Sequence, residues 1–517
     1  MEQLRILWVD DEVENLKPFI MFLTDKGYQV KTATNGADAI SMVLEGKFDL
    51  ILLDEMMPGM DGLSTLREIN RINSSLPVVM VTKSEEEGLM EDAIASQISD
   101  YLIKPVNPNQ IILAIKKIFQ ADEIRKNKIG EDYAKFSSRL NQALMMEPDW
   151  KQWQEIYNEI CRWDLTIDAS NDPALSQMHF LEKMNCNTEF SNYISRVYKD
   201  WLKSDERPVM SFDLISEYLI PELKRDNPVY FVVLDCMRLD QYNALEPFLQ
   251  ELFDIELHLY YSILPTATPY SRNAIFSGLL PVDIARSFPE YWSSTTDLDN
   301  SRNRNEHQLL EAHIKDLGYE LDKSKYIKIF TVEEGNYVLR KIDSWDSEGL
   351  LILVYNFLDL LAHHRSKNQI LKETIPDEEA LRAFTKHWFL HSTLYDTLLK
   401  IAKQNATVIF TTDHGSIRVN RASQVVGDKD TTSTIRYKQG RNLSSNGKNS
   451  LLAKDPEEYG LPKRSIIDNF AFAKEDYFFV YPNSFHQYMK QYNGTFQHGG
   501  ISMEEMILPL AICRSKG

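Results

Sequence analysis

The chain has 517 residues, enough for three or four folding units, and its 43% hydrophobic and 11% aromatic content excludes a disordered polypeptide. Its 57 lysines and arginines against 76 aspartates and glutamates give a net charge of −19, which repels a phosphate backbone and argues against direct duplex DNA binding. Cys161, Cys186, Cys236 and Cys513 form no CxxC spacing, the start MEQLRILWVDDE is acidic by its second residue, and no window approaches roughly 18 apolar residues. A soluble cytoplasmic protein without a membrane span is expected, in a reducing compartment.

From residue 4 to about 118, the apolar runs LRILWV, YQVKTA, LILLD, PVVMVT and YLIKP alternate with amphipathic, helix-like stretches. Repeated βα units bury apolar strands under helices on both faces, so a flavodoxin-like, doubly wound parallel sheet is predicted, with its ligand site at the strand C-termini. Asp10 and Asp11 follow the first run, Asp54 ends the third, Thr82 the fourth, and Lys104 with Pro105 the fifth. At one sheet edge, Asp10, Asp11 and Asp54 suit Mg²⁺ held through oxygen ligands and water. Asp54 is then placed to attack phosphorus and form an acyl phosphate, with Lys104 pairing to the new charge and Thr82 donating to its oxygens. Tyr101 is expected to change rotamer as Thr82 moves. The motifs DD, LLDEMMPGMDG, VTK and YLIKP resemble the receiver domain of two-component response regulators. That resemblance implies phosphorylation of Asp54 by a sensor histidine kinase, a two-state switch, and a phosphorylation-dependent homodimer through the face near Tyr101.

From about 120 to 205 the strand signal ends. Phe136, Leu140, Leu144, Trp150, Trp153, Ile156, Tyr157 and Ile160 recur at helical spacing, which predicts a small bundle with an aromatic core. Strands return after about 206 in VYFVVLD, LLILVYNFL, ATVIFTTDH and MILPLAI, predicting a second, mainly parallel α/β sheet. The polar stretch 416–465 carries Arg436, Lys438, Arg441, Lys448, Lys463 and Arg464. It reads as a long loop, either a solvated excursion or a cover for a phosphate-bearing substrate. The expected partition is a receiver over 1–120, a helical linker over 121–205 and a catalytic α/β domain over 206–517.

In that last region, Asp235 closes VYFVVLD, Asp359 and His363 share a helical face after LLILVYNFL, Asp413 and His414 close ATVIFTTDH, and His498 sits in QHGG. Aspartate and histidine without cysteine suit a catalytic zinc site. Asp359, His363 and His498 are assigned to one Zn²⁺, and Asp235, Asp413 and His414 to a second. Two such ions clamp the attacking and leaving oxygens of an in-line displacement at phosphorus. Thr268, in LPTATPYSRNAIFSG, faces the second ion as the candidate nucleophile, and Thr266 and Ser271 are alternatives that instead cap the helix. Arg272 and Asn273 are candidates for contacting phosphate oxygens, Arg272 as a fork. His364 points to another helix face.

The ordered set D, PTxT, DxxxH, DH, H resembles the alkaline phosphatase superfamily, and PTAT with GLLP aligns with the nucleophile segment of nucleotide pyrophosphatase/phosphodiesterases. This selects Thr268, although the following proline is shifted by one position and the asparagine that holds phosphate in those relatives has no secure counterpart. A receiver followed by this hydrolase, commonly called a PglZ domain, resembles the PorX family of response regulators over essentially the full length. The resemblance implies a PorY-like sensor kinase, a role in type IX secretion, and contacts with a sigma factor or a secretion component. The leading expectation is a zinc-dependent phosphodiesterase acting on cyclic or linear oligonucleotides. The alternatives are a non-catalytic, zinc-stabilised interaction scaffold, and a phosphomonoesterase or sulfatase.

Overall fold

The computed structural model describes residues 4–73, 76–83, 98–225, 227–292, 303–321, 323–345, 349–365, 368–428, 431–482 and 485–516, without the side chains of 120–125. Two compact units emerge, Met1–Ala134 and Lys135–Gly517. No helix among the described residues is long and apolar enough to cross a membrane.

In the first unit β1 (Arg5–Val9), β2 (Gln29–Ala33), β3 (Leu50–Asp54), β4 (Val78–Thr82) and β5 (Asp100–Ile103) form a parallel sheet in the order β2-β1-β3-β4-β5. All five predicted strands are present. Leu50–Asp54 and Val78–Thr82 are buried along their whole length, because helices cover both faces of a parallel sheet. The helices are α1 (Lys17–Asp25), α2 (Gly36–Glu45) and α3 (Gly62–Ile72). Asp61 caps α3 by accepting from the Ser64 N–H at 2.7 Å. Gly62 is required by close approach, since a Cβ there would stand 2.4 Å from the Asp54 carbonyl oxygen. The helix predicted between β4 and β5 falls on 84–97, outside the described residues. After β5, a single 38-residue helix, α4 (Pro108–Met145), carries the chain onward.

The second unit opens with two long helices, α5 (Trp150–Ser170) and α6 (Pro173–Trp201). Asp149 and Gln152 form a capping box at the start of α5, and Asp172 with Pro173 starts α6. The predicted stripe is core: Phe136, Leu140, Trp153, Ile156, Tyr157 and Ile160 are buried, and Leu144 and Trp150 are half-buried. Trp153 meets Phe190 edge-on at 5.3 Å.

Behind the bundle stands a six-stranded sheet. In chain order its strands are β6 (Val229–Leu234), β7 (Phe253–Tyr261), β8 (Ser324–Ile329), β9 (Leu350–Tyr355), β10 (Thr407–Thr411) and β11 (Ile507–Ser515). Its order is β7-β11-β10-β6-β9-β8. Strands β10, β6, β9 and β8 run parallel, while β11 and β7 pair antiparallel, so the sheet is mixed at one edge. Helices α7 (Leu239–Leu252), α8 (Thr268–Ser277), α9 (Glu306–Asp316), α10 (Phe357–Arg365) and α11 (Glu378–Leu390) complete the parts used below.

The long loop expected over 416–465 is instead built into three small sheets. Ile417–Val419 pairs with Thr495–Gln497, Arg421–Val426 with Tyr477–Val480, and Tyr437–Arg441 and Ser450–Ala453 with Asp468–Ala473. The polar text misleads because its residues form half-covered strands and two of its basic side chains are buried, while Arg441, Lys448, Lys463 and Arg464 stay exposed. Arg436 is fully buried against Glu505, and Lys438 is buried, donating to the Thr432 carbonyl at 2.9 Å. Burial pushes Lys438 down to about 7. Neither residue is free to cover a substrate.

The bundle meets the sheet domain through a buried ionic cluster. Lys183 on α6 lies 3.2 Å from Asp164, 2.9 Å from Glu378 and 3.6 Å from Glu504, and Arg382 on α11 joins Asp168 and Asp240. Burial alone would raise Glu378, but Lys183 and Arg238 outweigh it and hold its pKa at about 2. A carboxyl depressed in this way stabilises the fold above its unfolded pKa and loses that contribution as pH falls from about 4.5 toward 2. Glu378→Gln is therefore expected to cost about 3 kcal/mol at pH 7, with the deficit relative to wild type shrinking between pH 6 and pH 3. Urea unfolding across that range reads it; a pH-independent deficit would contradict the assignment.

Candidate functional site

In the first unit, Asp10, Asp11 and Asp54 offer carboxylate oxygens within 4.8 Å of one another, a donor set that fits a hard divalent cation. Lys104 Nζ stands 2.8 Å from Asp54 Oδ1 and 2.9 Å from Asp10 Oδ2. Burial raises the Asp54 carboxyl above its usual range, Lys104 opposes this, and Asp10 and Asp11 reinforce it. The Thr82 hydroxyl donates to the Glu55 carboxylate, and Tyr101 lies exposed on β5. Asp10, Asp11, Asp54, Thr82 and Lys104 therefore lie at the strand C-termini, while Tyr101 sits earlier on β5.

In the second unit, the predicted ligands also sit beyond the C-terminal ends of adjacent parallel strands. Asp235 follows β6 directly, Asp413 and His414 follow β10, and α10 carries Asp359 and His363 after β9. His498 arrives on the segment between Thr495–Gln497 and β11. Two three-residue groups form, Asp359 with His363 and His498, and Asp235 with Asp413 and His414.

The first group has the shape of a tetrahedral face. His363 Nε2 and His498 Nε2 are 3.3 Å apart, and they stand 3.3 and 3.4 Å from Asp359 Oδ1. Ligand atoms on a tetrahedral zinc with bonds of about 2.0–2.1 Å stand about 3.3–3.4 Å from one another. The Oδ1 of Asp235 and the Oδ2 of Asp413 are buried with no hydrogen-bond partner among the described residues. Buried carboxylate oxygens left in that state are what a cation would satisfy. By geometry and donor chemistry the residues fit two metal ions.

The histidines are oriented from behind. His414 Nδ1 lies 3.1 Å from the Gly415 carbonyl oxygen and His498 Nδ1 lies 3.3 Å from that of Thr266, which fixes the tautomers with Nε2 facing the site. Gly415 is dictated by packing, since a Cβ would collide with the Glu504 carbonyl oxygen. Burial drives His414 down to about 4, so its imidazole is neutral at physiological pH. Burial alone would raise Asp359, but His363 and His498 outweigh it and hold the carboxyl well below its ordinary range. Asp235 moves the other way, raised by burial and by the neighbouring Asp413 charge against the pull of Arg272.

Thr268 opens α8, with Pro269 preset for a first turn. The Thr268 Oγ1 to His414 Nε2 distance is 2.9 Å. With His414 Nδ1–H donating to Gly415, the threonine hydroxyl donates to Nε2. The alternatives face elsewhere: Thr266 Oγ1 bonds the Gly500 carbonyl and Ser271 Oγ the Ala267 carbonyl. Arg272 is buried with Nη1 2.7 Å from Asp235 Oδ2 and 3.7 Å from Asp413 Oδ2, and its Nε donates to Glu306 at 2.8 Å. It balances the carboxylates of the second group. Asn273 Nδ2 donates to the Pro269 carbonyl at 3.0 Å, a bond within α8, and His364 is exposed.

Sequence reasoning missed Glu306, which also takes Lys328 and Tyr326 as partners, and Asn303, whose Nδ2 donates to the Thr268 carbonyl at 3.2 Å. Both lie in the polar text NRNEH, which carries no strand-end or motif signal.

The model of the BREX system PglZ alkaline phosphatase-like domain matches residues 214–512, more than half of the chain. The chain belongs to this PglZ alkaline phosphatase-like family. A response regulator receiver domain matches 6–116, and a PorX response regulator linker domain matches 123–202. The chain is thus a PorX-like response regulator with a PglZ output domain.

Among curated proteins, it is 37% identical to the transcriptional regulatory protein ResD of Bacillus subtilis over 116 residues, covering 22% of this chain and 48% of ResD. It is 35% identical to ZraR of Klebsiella oxytoca over 130 residues, 25% of this chain and 29% of that protein, and 29% identical to SrrA of Staphylococcus aureus, 25% and 54%. The chain spans about half or less of these relatives. Similar solved structures include a two-component response regulator from Clostridium difficile, 30% identical, covering 23% of this chain and 97% of that one at a TM-score of 0.22. A CheY-like receiver domain protein from Methanospirillum hungatei is 26% identical over 23% and 96% at 0.23.

Proposed function

We propose that this protein is a response regulator, phosphorylated on Asp54, whose output is a zinc-dependent phosphodiesterase acting on nucleotide-type diesters, cyclic or linear oligonucleotides. The observation that carries the reading is the Thr268 hydroxyl, held 2.9 Å from His414 Nε2 beside two groups of buried Asp and His donors.

Asp359, His363 and His498 would hold one Zn²⁺, and Asp235, Asp413 and His414 the other. Bound there, zinc supplies positive charge that favours the alkoxide of a nearby hydroxyl and neutralises phosphate oxygens. The residues do the rest. Thr268 Oγ attacks phosphorus, the Oγ–P bond forms, and the ester P–O bond to the leaving alcohol breaks. The threonine proton ends on the leaving alkoxide, and water then cleaves the Oγ–P bond of the threonine-linked diester, restoring the hydroxyl and releasing the phosphate monoester. Arg272 donates to Asp235 and stands beside Asp413, holding both carboxyl groups in place, and Asn273 braces the first turn of α8. In the receiver, Asp10, Asp11 and Asp54 would hold Mg²⁺, Lys104 pairs with the phosphoryl group on Asp54, and Thr82 with Tyr101 relays the switch to a homodimer interface. A PorY-like kinase, a cytoplasmic setting and a role in type IX secretion through a sigma factor or secretion component complete the proposal.

Metal analysis of the purified chain together with a panel of diester, monoester and sulfate substrates tests it. Two zinc ions per chain, diester turnover well above monoester and sulfate turnover, and a shift from monomer to dimer in sedimentation after acetyl phosphate treatment are expected. A zinc-loaded protein inert on the whole panel would leave the interaction scaffold as the better account.

A further inference from the structure

His498 stands outside the regular strands and helices, so the aim of its imidazole depends on what holds the backbone from 498 to 505. One anchor is the segment before α8. The Gly499 N–H donates to Thr266 Oγ1 at 3.1 Å, and that hydroxyl donates to the Gly500 carbonyl at 2.9 Å. A second is the strand end at 473–475, where the Ile501 N–H donates to the Ala473 carbonyl and the Ile501 carbonyl accepts from the Glu475 N–H, both at 2.8 Å. A third is α6, a helix of the linker bundle. Asn187 Nδ2 donates to both carboxylate oxygens of Glu504 at 2.9 and 3.2 Å, and its Oδ1 accepts from the Met503 N–H at 2.9 Å. One turn on, Ser191 Oγ donates to the Ile501 carbonyl at 3.0 Å. Farther along the same helix, the Tyr198 hydroxyl accepts from the Leu264 N–H at 2.8 Å, four residues before Thr268.

Asn187, Ser191, Tyr198 and Glu504 are all buried, so each bond is made without competition from water. A helix is stiff over its length, and residues spaced by four and seven share a face. One rigid rod therefore grips both the segment that leads to Thr268 and the segment that presents His498.

We infer that α6 is a positioning element of the proposed hydrolase site, with Asn187 the residue through which the linker bundle sets the place of His498. The inference rests on the reading of His498 as a metal ligand. It makes the linker a working part of the output domain and puts the hydrolase within reach of any strain transmitted along the bundle.

The test reverses the amide and carboxylate across the contact in the full-length protein. Asn187→Asp keeps the acceptor for Met503 but sets a second carboxylate against Glu504; Asn187→Asp combined with Glu504→Gln restores a donor–acceptor pair with the roles exchanged. Amide hydrogen exchange over 498–503, zinc affinity by chelator competition, and kcat and KM on a chromogenic diester are measured, with Gln177→Ala on the exposed face of α6 as control. The single variant is expected to exchange at least tenfold faster at 498–503, to bind zinc at least tenfold more weakly, and to lose kcat with KM within threefold. The double variant is expected to return within threefold of wild type in each. Ser191→Ala, a milder loss, is expected to move the same readouts in the same direction.

Wild-type exchange and zinc affinity in Asn187→Asp, or a double variant no better than the single, would overturn the inference. Should wild type bind no zinc and cleave no diester, the proposed function fails, and the exchange arm still decides the positioning claim: recovered protection in the double variant supports it and unchanged exchange in the single refutes it.

Discussion

Thr268→Ala is expected to lower kcat on a chromogenic phosphodiester by about three orders of magnitude or more while leaving zinc content at the wild-type value. The hydroxyl is the only side-chain oxygen of the PTAT and TPYS segments that reaches His414; those of Thr266 and Ser271 are bonded to backbone carbonyls. Deleting it removes the attacking atom and one hydrogen bond, but none of the six ligand side chains. Thr268→Ser, which keeps a hydroxyl on a smaller side chain, is expected to retain a measurable fraction of turnover. Rapid quenching with a labelled diester should trap phosphate on the wild-type chain and not on the alanine variant. Alanine-variant turnover within tenfold of wild type would mean that water attacks directly, and Thr268 would revert to a helix-start residue.

The proposed ligands could be located in the sequence because each lies at a place that strand text marks. Asp235, Asp413 and His414 close apolar runs too hydrophobic to be anything but buried parallel strands, and in a parallel sheet such ends converge. Asp359 and His363 needed only the helical period. The five receiver strands were legible for the same reason. Partners fixed only by tertiary closure were not legible. Arg272 meets Glu306 across 34 residues of chain, and nothing local to either distinguishes that buried ion pair from two solvated charges. Arg436 and Lys438 look like a basic surface because charge is normally outside, and only the fold shows Arg436 locked on Glu505. The stretch 416–465 reads as loop because strands such as Arg421–Val426 show no apolar run: polar Ser423 is buried on one face and apolar Val426 is exposed on the other. Asn187 gave no signal at all; its meaning lies in Glu504 and Met503, more than 300 residues on.

The two metal groups are built differently, and that difference predicts separable losses. His363 projects from α10 at an exposed rim, whereas Asp235, Asp413 and His414 are buried around Arg272. His363→Ala is therefore expected to drop zinc from two ions to one per chain and turnover by at least about 100-fold, with the apo protein melting only slightly below wild type, because the imidazole is half exposed and Asp359 keeps His498 beside it. Asp235→Ala removes the carboxyl oxygen that accepts from the buried Arg272 guanidinium at 2.7 Å, and leaving that buried donor unsatisfied costs about 1–3 kcal/mol. It should lose metal and also melt at a clearly lower temperature without any zinc present. Parallel metal analysis and apo melting curves of the two variants separate the cases. Two zinc ions retained by His363→Ala would remove the exposed triad from the proposed centre, and an Asp235→Ala apo protein as stable as wild type would mean that Arg272 is balanced chiefly by Glu306.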